Sequence, residues 1–265
     1  MLLRNVFTKA IWDGRRSLLG WTLAVAVVGA MYASFWPSVD TPQMQDALAS
    51  YPEGMLEAFN YNDLTSAAGY LGSSVYGLLV PLLVAVFAIG VGTRMVAGDE
   101  EAGTLDLLLA HPVSRVKLAL ERFGAFALAL TGVAAVLWLA MLAISGPAKL
   151  DDISVTGFTA IHAQLVLFGL WFGALAFAIG AATGRKALTL GTSAGVAVLA
   201  YLANSVIPMV DGLEWTKNLS PFHWYLGGEP LENGFQWDGV GLLAATAAVL
   251  VAAGAWRFTH RDVSV

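Results

Sequence analysis

Four histidines, one pair of adjacent glutamates and a Gly-x-Ser-x-Gly pentad are the residues of this 265-residue chain whose types and spacing could do chemistry. His111, His162, His223 and His260 fall in four regions, none four residues from another, so they build no metal-binding helix face. With no cysteine, thiolate nucleophiles, iron–sulfur clusters and thiolate zinc sites are excluded. Gly191-Thr-Ser-Ala-Gly195 has nucleophile-elbow spacing, but that motif needs a strand–turn–helix setting, and here it lies in a long apolar run. Glycines four apart also let membrane helices approach closely, a use that Gly169/Gly173 and Gly180/Gly184 share. After Glu100-Glu101 an intramembrane protease of the Glu-Glu-x-x-x-Arg type would need arginine at 105, where Leu105 stands. No Gly-x-x-x-x-Gly-Lys-Ser/Thr phosphate loop occurs; Gly180-Ala-Ala-Thr-Gly184-Arg-Lys is the nearest approach, with the wrong spacing. The side chains point away from catalysis.

What must position them is a membrane. Charged residues make up 12% of the chain and hydrophobic ones 57%, against about 25% charged in a soluble domain. Uncharged runs cover 17–39, 64–93, 123–148, 153–184, 187–210 and 239–256. About 20 apolar residues at 1.5 Å rise cross a ~30 Å hydrocarbon core, so each run makes one pass. The spacing predicts spans near 17–36, 73–96, 120–145, 158–182, 187–208 and 239–257, the first a retained signal-anchor. Barrel strands alternate apolar and polar, whereas Leu78–Ile89 and Ala125–Ala143 are apolar on every face. The fold class is an all-α integral membrane protein in one transmembrane domain, 1–265.

Twelve of the 14 basic residues fall on one side of this topology, among them Arg4, Arg15, Arg94, Arg122, Arg185 and Arg261. The other side has only Lys149 and Lys217 but twelve of the 19 acids. The positive-inside rule therefore puts both termini in the cytoplasm. A net charge of −5 argues against nucleic acid as a partner.

The connections carry the remaining signals. In residues 1–16, Leu3, Val6, Phe7, Ala10 and Ile11 recur at helical spacing opposite polar residues, which predicts an interfacial helix entering the first span after Gly14. Between spans two and three, Asp99, Glu100 and Glu101 precede a short helix near 103–110 that Thr104 or Asp99 caps and Pro112 stops. Ser114 caps the third span. That helix exposes Leu105, Leu107, Leu108 and Leu109, suited to the lipid boundary or to a groove in a cytoplasmic partner. The long acidic connection 37–72 suggests a surface helix or two. On the same side, 218–234 reads as a re-entrant or interfacial segment around Pro221.

Gly98-Asp-Glu-Glu-Ala-Gly-Thr-Leu-Asp-Leu-Leu-Leu-Ala-His-Pro-Val-Ser-Arg115 resembles the first cytoplasmic loop of ABC-2 type transporter permeases, and the six-span plan is similar along essentially the whole chain. The resemblance implies a type V exporter-like fold in a prokaryotic plasma (inner) membrane, with an amphipathic leader and a cytoplasmic coupling helix. It implies that Glu100, Glu101, Gly103, Thr104, Leu105 and Leu108 meet an ATPase subunit, with Pro112 and Arg115 setting the exit into span three. Two such ATPase chains would hold ATP and Mg, this chain binding no cofactor and no metal. A second permease chain, identical or homologous, would complete the exporter. His162 and Trp171 are expected along a substrate path for a lipophilic or amphiphilic cargo, and Pro221, Phe222, His223 and Trp224 at an outer gate. The alternatives are an ion-coupled carrier and a membrane assembly factor. Ion coupling normally places a titratable group within a span, and the six runs hold no Asp, Glu, Lys or Arg.

Overall fold

The computed structural model describes residues 5–43, 50, 66–105 and 114–261. All regular structure among them is helical, and six helices are long and apolar enough to cross a membrane: Val6–Val39, Ala67–Glu101, Arg115–Ile144, Val155–Thr183, Lys186–Met209 and Trp237–His260. They are spans one to six. The connection at 44–49 and 51–65, and residues 106–113 with Leu107, Leu108, Leu109, His111 and Pro112, lie outside the described residues.

Span four is the axis of the bundle. Spans two and six lie along it, three and five complete its cover, and span one packs on span three. Glycines make this possible. A Cβ on Gly169 would sit 2.7 Å from Leu130 and 2.8 Å from Val84, and one on Gly92 would meet the Gly173 carbonyl oxygen. Backbones of spans two and four therefore touch, as small residues in membrane helices allow. Ser154 caps the start of span four by accepting from Gly157 N at 3.0 Å, and Gly184 ends it at φ 67°, the left-handed conformation glycine adopts without a Cβ penalty.

The sequence places a break after Gly14, but Val6–Ala33 is one uninterrupted helix. No proline interrupts it, Gly14 is tolerated in its interior, and the polar leader is tied to span three. Phe7 N donates to Glu121 Oε2 at 3.3 Å, and the Phe7 ring would meet a Cβ on Gly124 at 3.7 Å. At 28 residues the helix is about 42 Å long, longer than the ~30 Å hydrocarbon core.

Span two is wound as π-helix over Leu71–Leu79 and Arg94–Gly98. Pro81 cannot donate to the carbonyl four residues earlier. The turn before it carries bonds one residue longer, such as Val80 N to Val75 O. The segment expected as re-entrant or interfacial penetrates the bundle. Its helix Pro221–Leu226 buries Pro221, Phe222 and Tyr225, and the Phe222 ring lies 4.8 Å from Phe168 near the middle of span four. Ser220 satisfies the buried backbone there, accepting from Phe222 N and donating to Ala200 O at 2.7 Å, as irregular chain at membrane depth requires.

Candidate functional site

Three consecutive acids end span two, and on a helix they point about 100° apart. Each reaches a different element. Asp99 pairs with Arg122 of span three at 2.5 Å. Glu100, its side chain 3% exposed, pairs with Arg261 just past span six, accepting from Nη1 at 2.9 Å and also from Nη2. Glu101 accepts from the backbone N of Lys186 at 2.8 Å, capping span five, whose own N-cap Arg185 makes no side-chain cap bond. A carboxylate at a helix N-terminus also meets the positive end of its dipole.

Arginines complete the knot. Arg261 Nε donates to Ala181 O of span four at 3.1 Å. Arg115 Nη1 donates to Phe258 O at 3.0 Å and Arg261 O at 2.7 Å, which ties span three to span six. The acidic end of span two is thus fastened to spans three, five and six, and through Arg261 to span four. Its outward surface is Glu101, Ala102, Gly103 and Thr104, with Gly103 at φ 65° supplying the left-handed turn.

Two expected partner contacts therefore face inward. Glu100 is engaged by Arg261, and Leu105 is 1% exposed and belongs to the core. Hydropathy and charge identify the loop but not which side of each residue is covered. Arg115 serves span six, and Gly103 and Thr104 are exposed.

His162 is buried, with Nδ1 2.6 Å from Phe158 O and Nε2 3.2 Å from the Tyr76 hydroxyl. The carbonyl can only accept, so Nδ1 carries the proton and Nε2 accepts from Tyr76. This bond joins spans two and four and lines none of the three cavities below. Trp171 donates to Thr246 Oγ1 at 2.9 Å, joining spans four and six. Tyr76→Phe should leave the His162 acceptor unpaired and lower stability by about 1–3 kcal/mol. Denaturant titration in detergent checks it, the double variant with His162→Phe losing less than the two single changes together.

Ser193 is fully buried inside a continuous helix, so the Gly191–Gly195 pentad is no nucleophile elbow. Nor do its glycines receive a neighbour of this chain: a Cβ on either would meet nothing within 4 Å. At the segment around Pro221, Trp224 Nε1 donates to Asn218 O at 2.7 Å. His223 beside it is held below its ordinary range by burial and, secondarily, by Lys217.

Cavities among the described residues accompany these contacts. One of about 270 Å³ lies among spans one, two and three at the end bearing Arg94 and Arg122. A second, about 220 Å³, lies among spans one, two and five at the opposite end, lined by hydroxyls of Tyr32, Ser73, Ser74 and Tyr201 and by Asn204. The third, about 60 Å³, lies beside Pro230. No group of three or more potential metal ligands occurs among the described residues.

Six helices long and apolar enough to cross a membrane define a multi-pass membrane protein. Residues 3–259 match the family model described as multidrug efflux system permease Rv1217c, C-terminal domain, and the chain belongs to that family of efflux-system permeases. No curated protein matches it significantly.

Proposed function

We propose that the chain is the membrane subunit of an ABC-2 type exporter. It moves a lipophilic or amphiphilic substrate outward with ATP hydrolysed, with Mg, on two separate cytoplasmic ATPase chains, and it is not catalytic itself. The observation that carries this reading is the exposed turn 101–104, at which the acids 99–101 grip spans three, five and six. A push on that turn by a partner is delivered to several helices at once, which is what rocking between access states requires. The Lys/Arg asymmetry puts this end and both termini in the cytoplasm. The cavity among spans one, two and five, uncharged and rich in hydroxyls, is the best placed stretch of substrate path. Span five turns Gly191 and Gly195 outward, a surface that suits a second permease chain.

Ala102→Arg tests the reading, because Ala102 is exposed and takes part in no side-chain bond. Co-purification of the ATPase should fall at least about ten-fold, equivalent to ~1.4 kcal/mol, with the melting temperature unchanged. Unaltered co-purification, or export by the purified chain on an ion gradient without ATP, overturns it.

A further inference from the structure

The 270 Å³ cavity at the basic end has a floor and a rim of different chemistry. Its floor is hydrocarbon, with Leu18 from span one, Phe87 and Val91 from span two, and Phe126 from span three. Its rim is charged, with Asp13, Arg94, Asp99 and Arg122. From Phe87 to Arg94 is seven residues, about 10 Å of helix. The space exists because Ala10, Gly14 and Ser17 present small side chains on one face of span one.

Counted with Lys9, the partner of Asp13, the rim carries one positive charge in excess. Asp13 is paired with Lys9, and Asp99 with Arg122. Arg94 is exposed and makes no hydrogen bond or ion pair among the described residues. One uncompensated cation thus stands at the lip of an apolar slot, at the level where the charge-free run 64–93 ends and headgroups begin.

We infer that this slot between spans one, two and three binds one anionic phospholipid, its phosphate on Arg94 and the upper part of an acyl chain along Phe87 and Phe126. Charge complementarity selects the headgroup: a phosphodiester monoanion such as phosphatidylglycerol neutralises Arg94, whereas a zwitterion brings a second cation to the same rim. The volume lies near the lower end of the ~300–1,000 Å³ range of small-ligand pockets. That suits a headgroup and the first methylenes, with the rest of the chains left in the bilayer. The inference is independent of the energy source, because lipid retention is read on the resting protein without ATP.

Native mass spectrometry of the purified chain, exchanged into phosphatidylglycerol or phosphatidylcholine of matched acyl chains, tests it. The wild type should retain one phosphatidylglycerol in preference to phosphatidylcholine. Arg94→Ala should weaken that retention about five-fold, the effect of one basic residue at an anionic membrane surface, and Arg94→Lys should keep it. Gly14→Leu should weaken it as much by filling the slot. A Cβ on Gly14 meets nothing within 4 Å and leucine favours helix, so its melting temperature should not fall. Arg257→Ala, an exposed charge at the same end on span six, should change nothing. Equal retention of the two lipids, wild-type retention in Arg94→Ala or Gly14→Leu, or an equal loss in Arg257→Ala overturns the site.

Discussion

Arg261→Ala is expected to be among the most damaging single changes at the basic end, lowering stability by about 3–5 kcal/mol. The substitution takes from the Glu100 carboxylate, only 3% exposed, the guanidinium that donates to both its oxygens. It also removes the donor to Ala181 O. A buried ion pair is a weak source of net stability when intact, because desolvation offsets most of the attraction, yet breaking one half is severe. Glu100→Leu combined with Arg261→Leu should therefore recover part of the loss. Denaturant titration of the four proteins in detergent gives the coupling energy directly, and additive losses would show that the two residues act separately. Efflux should fall in the single variants and stay low in the double one if the pair also carries motion from the 101–104 turn into span six.

Gly92→Leu should cost about 3 kcal/mol or more, at or above the usual range for overpacking. Its Cβ would press into the Gly173 carbonyl oxygen and stand 3.0 Å from Ala176 Cβ. The first obstacle is backbone and cannot rotate away. Gly173 is itself hemmed in by the Phe126 ring, so span four cannot retreat without displacing span three. Gly90→Leu supplies the control on the same helix: a Cβ there meets nothing within 4 Å, and a small gain from helix propensity is expected. Comparable losses at the two positions, measured by thermal unfolding in detergent, would contradict the close approach of spans two and four.

The six passes were legible because insertion expels charge. Each uncharged run falls within or nearly within an observed helix, 187–210 within a residue of Lys186–Met209 and 123–148 largely inside Arg115–Ile144. Charge marks only the hydrocarbon-crossing part. Arg115–Arg122 continues span three as helix although hydropathy ends it, because propensity and the Ser114 cap, which accepts from Lys117 N at 3.2 Å, govern that turn. The polar knot was not legible. Glu100 and Arg261 are 161 residues apart and Tyr76 and His162 are 86 apart, and no local pattern announces pairings over such distances. The acids 99–101 stood out as a run, but three directions on one turn become three partners only once the neighbours are in place. Leu105 was misread for the same reason: an apolar residue in a polar loop suggests an open surface until something is seen to cover it.

Span five buries just Thr189, Ser193 and Ala200 along its twenty α-helical residues. It is held mainly at its tips, by Glu101 at Lys186 and by Ser220 and Thr216 at Ala200 and Ala203. A rod fixed by such bonds and bedded on so few buried side chains owes little of its position to apolar packing within this chain. Its fastenings are hydrogen bonds to main-chain atoms, so side-chain replacement along the shaft leaves them untouched.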